Sequence, residues 1–340
     1  MKSEILISWN SYLDLIPDSM KDVYFSEEYV RLYENNVSSA RCFLCKDDNR
    51  ILLIPVLVRQ VGEYFDFESA YGYGGPISNT DDDIWNINAL NCIENYIRNN
   101  SFLCGFIRFH PLLRNERVHS NSTAVIFDRK TVTINTSFSE DKIWSDEISS
   151  KNRNMIRKAE KNGLKFIADY DFRYIDQFII LYNSTMKRLA ADEFYFFDRK
   201  YYDELRYKLN GHSFLGTVWK DGKMICGAIF MYSGYYGHYH LEGSDKIYSS
   251  LGANNMLLWK ASCEMHKMGV RQFHLGGGYD TTPDNSLLKF KKSFSKSLSD
   301  FYIGKTIINH TAYNKICREW ENENPEKIRL YGNRVLKYRY

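Results

Sequence analysis

The chain has 340 residues, of which 44% are apolar, so it is long enough for two domains that each bury a core. Its 45 lysine and arginine residues nearly balance 42 aspartate and glutamate residues, and the formal net charge is only +3. This balance excludes a protein that binds nucleic acid through its overall positive charge, and it limits phosphate binding to local basic patches.

The sequence contains no run of the roughly 20 apolar residues that span a bilayer, and its first residues lack the pattern of a signal peptide. We therefore expect a cytoplasmic protein without an integral membrane segment. Seven scattered cysteines fit reduced thiols, and the single close pair, Cys42 and Cys45, lies in a predicted strand without a second pair. We predict packing roles for this pair and no metal site.

The first half predicts a series of strands followed by a helix and a further strand. β-rich runs at 41–44 and 51–59 flank a turn at Asp48 and Asn49, and a third run follows at 64–67. Helical spacing over 84–99 precedes another β-rich run at 105–110.

A basic helix is predicted between the halves, over residues 149–163, with serine near its start and Gly163 past its end. Its exposed side would carry Lys151, Arg153, Arg157, Lys158 and Lys161. Arg153 and Arg157 are one turn apart, a spacing that suits the binding of a phosphate-bearing acceptor. The alternative interpretation of the same pattern is an ordinary solvated helix face. Two more helices are predicted over 175–190 and 201–209.

The second half repeats the order of the first. Strands are predicted at 214–219, 224–232 and 235–243, with Asp221 and Gly222 forming the first hairpin turn, and then come a helix at 254–268, a strand at 270–275, a short helix at 286–294 and a strand near Phe301. The shared order of three strands, a helix and a strand indicates a duplicated module.

This arrangement resembles the core of the GNAT acyltransferases, and two in tandem resemble the FemAB/FemX group. The Tyr- and Gly-rich loop Tyr71–Pro76, the basic segment Ser150–Ala159 and the segment Ser286–Phe294 are similar to motifs of that group. Gly252–Leu257 and Phe273–Gly278 resemble its BioF2-like branch.

The resemblance implies an α/β (α+β) fold of two tandem GNAT-like, or acyl-CoA N-acyltransferase-like, domains that share a central cleft. The expected domains are 1–140 and 141–302, with the C-terminal tail 303–340 packing on the first. Two departures concern the substrates. Gly74 precedes Gly75 and Pro76 where the group has arginine, and no acid follows closely. The long helical hairpin of some aminoacyl-tRNA users is also missing, which leaves the donor open.

Acyl transfer to an amine or hydroxyl requires a base and a positive or N–H donor for the developing oxyanion. Lys291 is the first catalytic candidate, with Phe290 anchoring its segment and contacting substrate; a solvated helix lysine is the alternative. His240 and Glu242 are candidates for the base, because the two-residue period of a strand places His238, His240 and Glu242 on one face.

Four residues that open a helix, Gly252, Ala253, Asn254 and Asn255, are the predicted cofactor-binding segment. Backbone N–H groups at a helix start suit a pyrophosphate, and in GNAT proteins this place holds that of CoA; an ordinary helix start with an asparagine cap is the alternative. Tyr71 and Tyr73 are expected to position the acceptor, with core packing as the rival interpretation. Lys151, Arg153 and Arg157 are its predicted phosphate ligands.

These features predict an acyltransferase that moves an acyl, acetyl or aminoacyl group to a phosphate-bearing precursor of the cell envelope or a surface polysaccharide. Acyl-CoA is the expected donor, with aminoacyl-tRNA as the alternative, and no metal or DNA is expected. Two other functions are open: a tRNA-dependent amino-acid ligase of the peptidoglycan type, and a non-catalytic module that binds a glycan or nucleotide.

Overall fold

The computed structural model describes residues 1–280, 282 and 285–340. The chain forms two compact units, one of Met1–Asp128 with Asp300–Tyr340 and the other of Arg129–Ser299. Two strands, 123–135 and 298–307, each cross a boundary between these units, whereas the predicted domain limits lie at 140 and 302.

The strands are β1 (Lys2–Leu6), β2 (Ser38–Asp47), β3 (Arg50–Val61), β4 (Tyr64–Glu68), β5 (Ile77–Ser78), β6 (Phe102–Arg108), β7 (Thr123–Asn135), β8 (Lys165–Asp169), β9 (Ser213–Lys220), β10 (Lys223–Ser233), β11 (Tyr236–Ser244), β12 (Gln272–Gly277) and β13 (Leu298–Ile307). The α-helices are α1 (Asn10–Leu13), α2 (Glu27–Val30), α3 (Asp83–Asn99), α4 (Glu140–Lys142), α5 (Ser150–Lys161), α6 (Ile175–Arg188), α7 (Arg199–Lys208), α8 (Ala253–Lys267), α9 (Ser286–Lys292), α10 (His310–Glu323) and α11 (Ile328–Tyr331). None of the helices in the described ranges is long and apolar enough to cross a membrane.

The first unit contains a sheet in the order β1-β2-β3-β4-β6, extended by the end of β13. Neighbouring strands are antiparallel except β4 and β6, which are parallel. Helix α3 packs on this sheet and buries Trp85, Ala89 and Ile93 in a core with Phe43, Phe67 and Phe102.

The second unit repeats this topology as β8-β9-β10-β11-β12, extended by the end of β7. Again one neighbouring pair, β11 and β12, is parallel and the others are antiparallel. The turn between β9 and β10 follows the predicted pattern, since both Asp221 and Gly222 have positive φ angles, 49° and 79°, as a type I′ turn requires. The equivalent topologies confirm the predicted α/β fold of two GNAT-like modules.

A buried ion pair fixes the C-terminal segment within the first unit. Arg339, whose side chain is 10% exposed, donates to both carboxylate oxygens of Asp66, which is fully buried on β4, and also pairs with Glu68. The Tyr338 hydroxyl donates to Asp66 Oδ2 over 2.8 Å. Because these carboxylates raise the pKa of Arg339 despite its burial, the guanidinium stays charged.

We predict that Arg339→Met destabilises the protein by about 3–5 kcal/mol, because the substitution leaves the buried Asp66 carboxylate without its cation. Urea denaturation monitored by circular dichroism measures the change. Arg329→Met, which removes an exposed arginine of α11 in the same segment, is the matched control. Equal stability of the two variants would show that the Arg339 pair does not stabilise the fold.

Candidate active site

The candidate active site lies in the second unit, where two parallel strands separate. Strands β11 and β12 pair only over Tyr236–His238 and Gln272–His274, and β11 then continues to Ser244 with pairing to β10. Hydrogen bonds join Glu242 of β11, Asn254 at the start of α8 and the thiol of Cys226 on β10 into a polar cluster. Lys291 of α9 interacts electrostatically with Glu242.

Lys291 is one of the few charged residues buried in the described chain, with 7% exposure. Its Nζ donates to the Gly277 carbonyl over 2.7 Å and lies 5.7 Å from the ring centroid of Tyr239. Burial lowers the pKa of Lys291 to about 7, against the opposing effect of the Glu242 charge and with a contribution from Arg129. The ammonium is therefore close to its titration point at neutral pH, which suits proton donation or oxyanion stabilisation.

Glu242 provides the negative charge of the cluster. Desolvation raises its pKa, whereas Ser244, Arg188, Asn254 and Lys291 favour the charged form. Asn254 Nδ2 donates to Glu242 Oε1 over 3.2 Å. A carboxylate with a raised pKa is a stronger base than an exposed glutamate, so Glu242 fits the role of general base.

His240 does not belong to this cluster. A register shift in β11 pairs Ile229 with Leu241 and Phe230 with Tyr239, so His240 is the extra residue of a β-bulge. Its Nε2 bonds to the Tyr201 hydroxyl of α7 at 2.8 Å, and burial lowers its pKa to about 3. An imidazole that is so hard to protonate is a poor base at neutral pH.

The bulge also corrects the predicted common face of His238, His240 and Glu242. His238 lies opposite Met231 and Glu242 lies opposite Ala228 on β10. Because Met231 and Ala228 are three residues apart in a strand, His238 and Glu242 point to opposite sides of the sheet. The strict two-residue period on which the prediction rested does not hold across an inserted residue.

The predicted cofactor segment does open a helix, and the asparagine cap of the alternative interpretation is not what begins it. Gly252 is the N-cap of α8, with φ of +81°, and a Cβ there would lie 2.5 Å from the Met155 carbonyl oxygen, so both conformation and packing require glycine. Ala253 is buried. The side-chain amides of Asn254 and Asn255 bond to Glu242 and Asn152, respectively. Any contact of this segment with the acyl-donor substrate would therefore be made by its backbone.

The basic helix is α5, and the structure separates its three predicted phosphate ligands. Arg153 Nη1 donates to the carbonyls of Trp144, Ser145 and Ile148 at 3.1, 3.1 and 2.5 Å, so its guanidinium fixes the turn before the helix. Lys151 and Arg157 are exposed, and the Arg157 guanidinium lies 5.4 Å from the Trp144 ring. Lys151 and Arg157 therefore remain the stronger candidates for phosphate binding.

Tyr71 and Tyr73 lie in an aromatic cluster of the first unit. The Tyr29 hydroxyl donates to the Tyr71 carbonyl over 2.6 Å, and the ring of Tyr73 packs edge-on against Tyr24 and Phe301 at 5.4 and 5.3 Å. Both tyrosines are partly exposed. Aromatic packing accounts for these contacts, and acceptor binding by Tyr71 and Tyr73 stays a prediction.

Phe290 meets Phe294 edge-on at 5.3 Å and packs on the core of the second unit, which anchors α9 and the adjacent Lys291. Its contact with substrate stays a prediction. Cys226 and the side-chain contact of Asn254 were not predicted from the sequence. No sequence signal identifies either, because Cys226 occupies an ordinary strand position and its neighbours come from distant segments.

Comparison with known proteins supports the same fold. Residues 149–292 match the acetyltransferase (GNAT) domain family. Among solved structures, FemX is similar with a TM-score of 0.72 and 15% identity, over 93% of this chain and 100% of that chain. A tandem GNAT protein from the clavulanic acid biosynthesis pathway has a TM-score of 0.51 and 6% identity, over 91% of this chain and 99% of that chain.

The C-terminal domain of a protein assigned as a lysylphosphatidylglycerol synthetase from Agrobacterium fabrum has a TM-score of 0.57 and 11% identity, over 90% of this chain and 94% of that chain. No curated protein gives a significant sequence match. At these identities the structural likeness shows the fold alone, a tandem GNAT fold. Together with the matched domain, it supports the predicted acyltransferase.

We predict that Arg153→Met destabilises the protein by about 1.5–3 kcal/mol, because three carbonyls lose a charged hydrogen-bond donor. Arg157→Met is the control on the same helix, and we expect it to change the free energy of unfolding by about 0.5 kcal/mol or less. Chemical denaturation of both variants measures the difference. A phosphate-binding role without structural importance for Arg153 would instead leave the two variants equally stable.

Proposed function

We propose that this FemX-like tandem GNAT-fold protein transfers an acyl or aminoacyl group to an amine or hydroxyl of a phosphate-bearing precursor of the cell envelope or a surface glycan. The observation that carries the proposal is the electrostatic interaction of a buried lysine, Lys291, with a glutamate of raised pKa, Glu242, inside the matched GNAT domain. Such a pair can hold a proton acceptor and a cation in the same site at neutral pH.

In the proposed mechanism, Glu242 accepts the proton of the attacking amine or hydroxyl. The Lys291 ammonium stabilises the oxyanion that forms on the donor carbonyl. Direct transfer is favoured over a covalent enzyme intermediate, because burial and the adjacent Glu242 raise the pKa of the Cys226 thiol well above its usual value. A thiol held in its protonated form is a poor nucleophile.

A difference between the two units supports donor binding at the start of α8. In the first unit, the equivalent helix α3 is capped by the Asp82 side chain and carries Asp83 in its first turn. In the second unit, α8 begins at Gly252, with neither a side-chain cap nor an acidic residue in its first turn among the described residues. Phosphates are repelled by the first arrangement and stabilised by the second.

Acyl-CoA is the proposed donor, and aminoacyl-tRNA is its alternative. The matched GNAT domain favours acyl-CoA, although the similar clavulanic acid pathway protein was solved without AcCoA. The similar synthetase is instead named for a lysyl group on phosphatidylglycerol. That name also favours a phosphate-bearing acceptor. For this chain, exposed Lys151 and Arg157 on α5 are the proposed phosphate contacts.

A ligand screen tests the proposal and separates it from a purely binding function. Acyl-CoAs, aminoacyl-tRNA and nucleotide sugars are added singly and in pairs, and the unfolding temperature and product formation are measured together. The proposal requires a donor that both raises the unfolding temperature and is consumed with an acceptor. Stabilisation by a nucleotide sugar alone, without turnover of any donor, would indicate a binding module.

We predict that Lys291→Ala lowers single-turnover rates by roughly a hundred- to a thousandfold, equivalent to about 2.7–4 kcal/mol, with little change in donor affinity. The ammonium interacts more strongly with a developing oxyanion than with a neutral carbonyl. Lys292→Ala is the control, since Lys292 is the adjacent, exposed lysine of α9. Equal rates in the two variants would remove Lys291 from the mechanism, and a defect confined to affinity would assign it to binding.

We also predict a bell-shaped dependence of turnover on pH. The rate rises as Glu242 loses its proton, at a pH above that of an ordinary glutamate, and falls as pH rises through about 7, where Lys291 loses its charge. In Lys291→Arg the cation stays protonated, so the decline near pH 7 should move to higher pH. An unchanged decline in that variant would contradict a cationic role for Lys291.

A further inference from the structure

Three side chains of the second unit form a short hydrogen-bond chain that ends on Glu242. Cys226 Sγ donates to Asn254 Oδ1 over 3.0 Å, and Asn254 Nδ2 donates to Glu242 Oε1 over 3.2 Å. Cys226 Sγ is farther from the same carboxylate oxygen, at 3.9 Å. The chain begins on β10, crosses the first turn of α8 and ends on β11.

The direction of this chain follows from the chemistry of its members. A thiol has one hydrogen to donate, and an amide has an acceptor oxygen on one side and a donor nitrogen on the other. The Cys226 hydrogen therefore selects the Asn254 oxygen, which turns the NH₂ group toward Glu242. Cys226 is fully buried and its raised pKa keeps the hydrogen on sulfur, so the selection is maintained at neutral pH.

We propose that Asn254 is a positioning residue that holds the Glu242 carboxylate in place for proton transfer, and that the Cys226 thiol fixes the orientation of the Asn254 amide. This inference rests on the proposed function of Glu242 as the base. It adds a side-chain role to the backbone role predicted for the Gly252–Asn255 segment. It also links the helix start that is proposed to hold the donor directly to the group that would activate the acceptor.

Several other groups face Glu242, and they define what the asparagine adds. Arg188 of α6 and Lys291 of α9 contribute positive charge, the Ser244 hydroxyl contributes a hydrogen bond, and Tyr239 lies on the same strand as an unionised neighbour. These groups remain when Asn254 is replaced. Loss of the amide hydrogen bond should therefore raise the pKa of Glu242 further without removing the opposing charges.

The adjacent asparagine provides a matched control. Asn255 is on the same helical turn and is partly buried like Asn254, but its Nδ2 donates to Asn152 Oδ1 over 2.7 Å. Asn152 in turn bonds to the Ser293 carbonyl over 3.3 Å. Asn255→Ala therefore removes a hydrogen bond of the same type at the same helix start without removing a donor to Glu242.

The test is a direct titration of Glu242 in the whole protein by ¹³C NMR of labelled glutamate carboxyls, with the signal assigned by its loss in Glu242→Gln. We expect Asn254→Ala to raise the pKa of this carboxyl. Cys226→Ala should raise it less, because the amide can still bond to Glu242 in part of the population. Cys226→Ser should restore the wild-type value through its hydroxyl donor, and Asn255→Ala should leave that value unchanged.

The pH dependence of turnover is the second measurement. The acidic limb of the profile should move to higher pH in Asn254→Ala and Cys226→Ala, and it should stay in place in Cys226→Ser. An identical Glu242 pKa in wild type, Asn254→Ala and Cys226→Ala would overturn the inference. A shift in Asn255→Ala equal to that in Asn254→Ala would overturn it as well. If Asn254→Ala does not fold, the comparison of Cys226→Ala with Cys226→Ser still tests the inference. Wild-type turnover of Glu242→Gln would refute the proposed function instead, and that result is independent of the titration.

Discussion

The desolvation of Lys291 is the constraint on which the chemistry of the second unit depends. An ammonium loses much of its hydration in a buried position, and its pKa falls unless nearby anions compensate. The charge of Glu242 offsets only part of the desolvation of Lys291, because Glu242 is itself desolvated and its own pKa rises. Burial thereby lowers the pKa of the lysine to about 7 and raises the pKa of the glutamate, so the two values move toward each other.

This balance depends on elements that are far apart in the sequence. Glu242 is on β11, Lys291 is on α9, and Asn254 and Cys226 come from α8 and β10. The parallel pairing of β11 with β12 stops after His238, so the rest of β11 can direct Glu242 toward the start of α8. The bulge at His240 then determines that Glu242, rather than His240, faces that helix.

The two units show how one topology can support different chemistry. Each has three antiparallel strands, a helix and a strand parallel to the third, yet α3 begins with acidic residues and α8 begins with glycine. Electrostatics at a helix start depends on one or two side chains, which can change without disturbing the packing beneath. A duplicated fold can therefore keep its core while only one copy retains a phosphate-compatible helix start.

The sequence by itself predicted the repeated order of three strands, a helix and a strand, and with it the duplicated architecture. Strands such as β3 and β10 and the helix α8 have strong local patterns. The five-residue strands β1 and β8, which pair on one side only, were not predicted, and neither was the longer β7, whose burial follows no simple alternation. Lys291 and Glu242 were also identified from the sequence, since a motif marked the first and strand spacing placed the second.

Only the tertiary structure decided which of the candidates meet. The bulge in β11 separates the roles of His240 and Glu242, and three backbone carbonyls accept hydrogen bonds from Arg153. The side chain of Asn254 bonds to Glu242. A sequence pattern fixes the direction of a side chain only while the backbone stays regular, and it does not show which distant groups supply its hydrogen bonds. The roles of these three residues therefore depended on contacts between segments that local periodicity does not encode.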